Sequence, residues 1–134
     1  MQSQLLLYPF LTYVLWVVVL YVLLTLVRAP EVWGVGGLGS GENPLRKFEP
    51  RISANLSNQF EWPILFYVII TLLISTQTVV PPFYFWSAWL FVVGRVVHSG
   101  VQVLTTNIRL RGVVFTVNFA AVLMIWLVYF AEST

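Results

Sequence analysis

The sequence predicts an all-α integral membrane protein, an up-down bundle of four transmembrane helices, and three observations carry that expectation. Hydrophobic residues make up 59% of the chain and charged residues 9%, where a soluble domain carries about a quarter charged. The apolar residues fall in long uncharged runs, and six of the seven basic residues lie in two connectors or, as Arg51 does, directly beside one. Mean hydropathy is correspondingly high, at +0.86.

The first run, residues 5–27, is 23 residues without a charge. That is about 34 Å of helix, enough for a hydrocarbon core of roughly 30 Å. It lacks the basic start and small-residue cleavage site of a signal peptide, so it reads as a retained span. Residues 28–50 then hold Arg28, Arg46 and Lys47 with three of the five glutamates and three prolines, and read as an aqueous loop. A second span is expected over 51–75. The adjacent Pro81 and Pro82 place a tight turn at 76–82, because proline removes a backbone donor and pushes the residue before it out of helix. A third span follows over 83–104, a connector with Arg109 and Arg111 over 105–112, and a fourth span over 113–131. With four spans the two basic loops share one side, which the positive-inside rule makes cytoplasmic, leaving both termini outside.

Several apparent signals carry little. Gly34, Gly36 and Gly39 spell GxGxxG, but that motif works only between a strand and a helix of a parallel sheet. Asn55–Leu56–Ser57 is a glycosylation sequon by pattern alone, on the side expected to be cytoplasmic. One histidine, no cysteine and no aspartate cannot assemble a metal centre, and no protein thiol is available as a nucleophile. Ser99 beside His98 makes no triad, since neighbours in sequence point apart on a helix.

What remains is a polar constellation inside apolar sequence. At 100° per residue, Arg51, Asn55, Asn58 and Trp62 share a face of the second span, with Glu61 to one side, while Arg95, His98, Ser99 and Gln102 share a face of the third. The two spans run antiparallel, and Glu61 and Arg95 lie at matching depth. A charge at that depth costs about 2.5–3.5 kcal/mol and demands a partner or a wet cavity. We expect Glu61 and Arg95 to pair, inside the bundle or across a subunit interface, either as part of a functional site or only to fix helix register.

These residues resemble a known family, the membrane-associated proteins in eicosanoid and glutathione metabolism (MAPEG). Its members carry R-x-x-x-N-x-x-E in the second helix, G-R-x-x-H in the third and an arginine opening the fourth. Arg51 and Asn55 match the first element, Gly94, Arg95 and His98 the second, and Arg111 the last. The acid falls at Asn58, or at Glu61 in a register shifted to Asn58–Glu61. The resemblance implies a homotrimer that binds glutathione near its cytoplasmic edge. It also implies that Arg111 faces the thiolate as the catalytic cation, and that Arg51, Asn55, Asn58, Glu61, Arg95, His98 and Gln102 hold the peptide. Where family enzymes place two tyrosines and a serine near the sulfur, this chain has Gln102, Phe115 and Gly112. Glutathione transfer to a lipophilic electrophile, or peroxidase action on a lipid hydroperoxide, is therefore expected alongside an alternative, a non-catalytic lipid- or ligand-binding member of the fold. A small proton-coupled transporter using Glu61 and His98 ranks behind both, since no inverted repeat is visible. The partners so implied are the bilayer, glutathione, a lipophilic small molecule and further copies of the chain, and no nucleic acid.

Overall fold

The computed structural model describes residues 1–34 and 43–133. Among them the chain forms five α-helices and two short 3-10 turns, with no strand beyond an isolated bridge between Gln2 and Val79. Three helical stretches, Ser3–Trp33, Pro82–Leu104 and Ile108–Ser133, are long and apolar enough to cross a membrane.

Helix α1 (Leu7–Trp33) follows the 3-10 turn Ser3–Leu6 and continues past Val27, where the first span was expected to end, to Trp33. Its last turns carry Arg28 and Glu31, which pair with Glu49 and Arg46, so polar groups prolong the helix into the region read as loop. It stops at Gly34, whose φ of 64° suits a residue without Cβ and whose N–H returns to the Pro30 carbonyl at 3.1 Å. Gly36 and Gly39 of the apparent dinucleotide motif lie outside the described residues.

The helix expected over 51–75 is two helices, α2 (Glu49–Ser57) and α3 (Ile64–Thr76). Pro63 is the reason. It has no N–H to give the Gln59 carbonyl and it disfavours helical geometry at Trp62. Residues 58–63 instead close short turns, with Phe60 N–H on Ser57 O at 3.0 Å and Phe66 N–H on Pro63 O at 3.0 Å. Alone, α3 with its 13 residues spans only about 20 Å.

Pro82 opens helix α4 (Pro82–Leu104) at its first position, where a missing N–H costs nothing. Helix α5 (Ile108–Ser133) begins well before the expected fourth span, leaving a connector of only Thr105, Thr106 and Asn107. Asn107 accepts the Leu110 N–H on its side chain at 3.0 Å, capping α5, so Arg109 and Arg111 ride on its first turns rather than in a loop.

Tyr13, Phe66 and Phe91 form the aromatic centre: Phe66 and Phe91 stack at 4.2 Å, and Tyr13 meets them edge-on at 5.6 and 5.1 Å. Helices α4 and α5 make the most extensive helix pair. They pack tightly at Gly94, where a Cβ would stand 1.7 Å from Asn118 Oδ1. Leu11, Leu15, Trp86, Leu127 and Phe130 are exposed on the outer faces, as lipid-facing side chains would be.

Candidate functional site

The polar faces foreseen on the second and third spans do meet. Asn55, on α2, is fully buried and donates through Nδ2 to Gln102 Oε1 on α4 at 2.9 Å; Asn58 Nδ2 reaches the same oxygen at 3.3 Å. Arg51 Nη1 donates to the Val103 carbonyl at 3.3 Å, tying the start of α2 to the end of α4. Burial of Asn55 inside this seam also disposes of the sequon as a glycan site.

Arg95 is fully buried but is not paired with Glu61 within the chain, so the first of the two expected arrangements, a pair inside the bundle, does not form. Its Nε donates to Gln59 Oε1 at 3.1 Å, its Nη2 to the Asn58 carbonyl at 3.2 Å, and its guanidinium lies over the Trp62 ring at 5.4 Å. The break at Pro63 explains this, since the helical wheel that put Glu61 beside Asn58 no longer applies past residue 57. Glu61 is exposed and faces the same cavity as Arg95 without touching it.

Sequence reasoning missed the centre of the network, Gln59. Fully buried, it accepts from the Tyr13 hydroxyl at 2.8 Å as well as from Arg95, and its Nε2 donates to Asn55 Oδ1 and Asn55 O, both at 3.1 Å. Its spacing of four from Asn55 was the available signal. Tyr13 and Trp16 on α1 were missed as well; Trp16 Nε1 donates to Ser99 Oγ at 3.2 Å.

Two adjoining cavities open beside this network. An end cavity of about 340 Å³ is lined by Arg51, Gln102, Thr105, Thr106, Asn107 and Arg111, among others. An inner cavity of about 350 Å³ is lined by Asn58, Glu61, Trp62, Arg95, His98 and Phe115, with Gly112. Ile108 and Arg111 line both. Arg111 is exposed and so can turn toward either space. Two buried nitrogens on residues of the inner wall, Arg95 Nη1 and His98 Nδ1, have no hydrogen-bond partner. Orphaned polar atoms of that kind call for a ligand or water.

The eight residues singled out by sequence thus fall around one pair of cavities. The end cavity takes Arg51 and Gln102, the inner takes Asn58, Glu61, Arg95 and His98, Arg111 bridges them, and Asn55 stands behind Gln102. No group of histidine, cysteine and acidic residues fit to hold a metal occurs among the described residues. The donor set is instead one for carboxylates and peptide amides: guanidinium forks give two-point recognition of a carboxylate, and side-chain amides pair with a peptide bond.

No curated protein and no solved structure matches the chain. A family model, that of the MAPEG family, matches residues 6–131, nearly its whole length. Together with the G-R-x-x-H element buried at the seam of α2 and α4, this assigns the chain to the MAPEG family.

Proposed function

We propose that this chain is a membrane-embedded glutathione-binding protein acting as a glutathione transferase or peroxidase on lipophilic electrophiles or lipid hydroperoxides. One observation carries the reading: three arginines, Arg51, Arg95 and Arg111, and the amides of Asn58 and Gln102 stand around two cavities that share Arg111. A tripeptide with a carboxylate at each end and a thiol between suits that order of charges. Glutathione supplies the thiol that a chain without cysteine lacks. Arg111, at the junction, favours its ionised form by placing a cation beside it. Arg51 and Arg95 are the candidates for gripping the carboxylates, and the Trp62 and Phe115 rings give the inner cavity an apolar wall for the second substrate.

The same reading includes a four-span subunit, with α2 and α3 together making the second crossing. The basic segments 28–50 and 105–112 are placed in the cytoplasm, and the chain assembles into a homotrimer as the family does.

A second reading, a member that binds glutathione or a lipid without chemistry, is favoured by one feature. Among the described residues the inner cavity has no hydroxyl on its lining side chains, where Gly112 and Phe115 stand in place of a serine and a tyrosine of family enzymes, and Gln102 replaces the other tyrosine at the end cavity. The two are separated with purified protein in detergent. Glutathione at about 100 times its Kd should add about 2.7 kcal/mol to stability under either reading. Only the enzyme should also show a thiolate absorbance and turn over an aryl halide. No stabilisation by glutathione would sink both.

A further inference from the structure

We propose that the seam between α1 and α4 holds one acyl chain of an anionic phospholipid from the surrounding bilayer, with its phosphate at Lys47. The seam encloses about 390 Å³ walled by Trp16, Leu20, Phe48, Ile52, Gly100 and Val103, among others. It lies away from the proposed glutathione site: Gly100 is two residues from both His98 and Gln102, and so on the far side of α4 from them. The inference is therefore independent of that reading.

The wall dictates a hydrocarbon occupant. Its one hydroxyl, Ser99, is spent, donating to the Arg95 carbonyl at 2.9 Å and accepting from Trp16 Nε1 at 3.2 Å and Gln59 Nε2 at 3.4 Å. The indole N–H of Trp16 is spent in the same contact. A polar ligand would find no free partner there and would lose its own hydration.

Gly100 sets the size of the space. A Cβ built on it meets nothing within 4 Å among the described residues, so none of their atoms requires a glycine. Glycine inside a helix is nonetheless disfavoured against alanine. An open groove in a bilayer does not stay empty, and the filler at hand is a lipid tail, which packs against apolar side chains as well as they pack on one another.

The headgroup preference comes from the end of the groove. Phe48 closes it, and Lys47 Nζ lies 5.1 Å from the Phe48 ring centroid. Nearby Arg28 and Arg46 pair with Glu49 and Glu31, whereas Lys47 is exposed and makes no ion pair among the described residues. A lysine near the membrane surface favours an anionic over a zwitterionic headgroup by about fivefold.

Native mass spectrometry of the full chain, in micelles doped with equal phosphatidylglycerol and phosphatidylcholine, tests this. The wild type should retain one lipid per chain, with phosphatidylglycerol preferred about fivefold. Lys47→Gln should keep the lipid and lose the preference. Gly100→Leu, whose side chain would fill the groove, should lose both lipids while helicity and glutathione-free thermal unfolding stay unchanged. The proposal is overturned if the wild type retains no lipid, if it holds the two lipids equally, or if Gly100→Leu keeps its lipid. It is overturned too if Gly100→Leu instead breaks an oligomer into single chains, since a second copy would then be the occupant. Should Gly100→Leu not fold, wild type and Lys47→Gln, a surface change, decide the question alone.

Discussion

Replacing Gln59 by leucine should be the most damaging single exchange at the site that leaves every proposed ligand-contacting residue in place. Gln59 accepts from Tyr13 and from Arg95 and donates to Asn55. Leucine is of similar volume, so no cavity opens; what is lost is polar. In water-soluble proteins an orphaned buried group costs about 1–3 kcal/mol, more when charged. Hydrogen bonds between membrane helices average nearer about 0.6 kcal/mol, because the unfolded chain in the membrane also finds partners. The Tyr13 hydroxyl belongs at this lower figure. Arg95 does not, since it would hold a buried charge with only the Asn58 carbonyl and the Trp62 ring beside it. The sum is about 2–3 kcal/mol for Gln59→Leu. Tyr13→Phe leaves the Gln59–Arg95 bond intact and should cost about 0.6 kcal/mol. Detergent-denaturation curves followed by helical circular dichroism give both values, and glutathione titration should show Gln59→Leu weakened at least about tenfold, the equivalent of 1.4 kcal/mol. If the two variants lose equal stability, or if Gln59→Leu binds glutathione like wild type, Gln59 does not orient Arg95 and the network is only packing.

Gly94→Ala should destabilise by about 1–3 kcal/mol, because the new Cβ would meet Asn118 Oδ1; Gly94→Ala with Asn118→Ala should recover most of that loss in thermal unfolding, and no recovery would refute the contact. Asn118→Leu alone should stabilise by about 1 kcal/mol, since both amide atoms of Asn118 are buried without partners. Arg95→Lys keeps the charge but offers one nitrogen where the guanidinium meets Gln59 Oε1 and the Asn58 carbonyl from two, so glutathione affinity should fall about tenfold with little change in assembly mass. Arg111→Ala should abolish the thiolate absorbance while sparing thermal stability, because its side chain is exposed and makes no hydrogen bond among the described residues.

The parts legible in the sequence were those fixed by long-range composition. Uncharged runs must be helical in lipid because every backbone group has to be satisfied within the segment, so the all-helical architecture could be read directly, whereas α1 and α5 run past the bounds that the charges suggested. The polar arc on α4 was equally readable, because α4 is one unbroken helix and the 100° rule holds along all of it: Arg95, His98, Ser99 and Gln102 are all buried on one side. The corresponding stripe on the second span held only as far as its helix did. Arg51 and Asn55 fell where the wheel put them, on α2, and Glu61, past the end of α2, did not. The family match and the G-R-x-x-H element agree on the membership, but neither could reveal Tyr13 or Gln59, whose importance lies in contacts across 46 residues of sequence.

The displaced acid is itself informative about charge. Had Glu61 paired with Arg95, the site would be neutral and the guanidinium would be spent. As it stands, Arg95 is fully buried, its neighbours within hydrogen-bond reach are a glutamine oxygen and a peptide carbonyl, and one of its nitrogens has no partner. Neutral dipoles and a ring face reduce the cost of that charge without cancelling it. Among the described residues no carboxylate lies within ion-pair distance of Arg95. A buried cation kept this way is poised for an anion that arrives from outside the chain. A ligand carboxylate in the inner cavity would meet that need, and Glu61 on the cavity's exposed side would then meet the ligand's ammonium rather than Arg95. The sharpest check is Glu61→Gln. If Glu61 served Arg95, the exchange would destabilise the empty protein. On the present geometry it should leave empty-state stability within about 0.5 kcal/mol of wild type and weaken glutathione more than a des-amino analogue that lacks the ammonium.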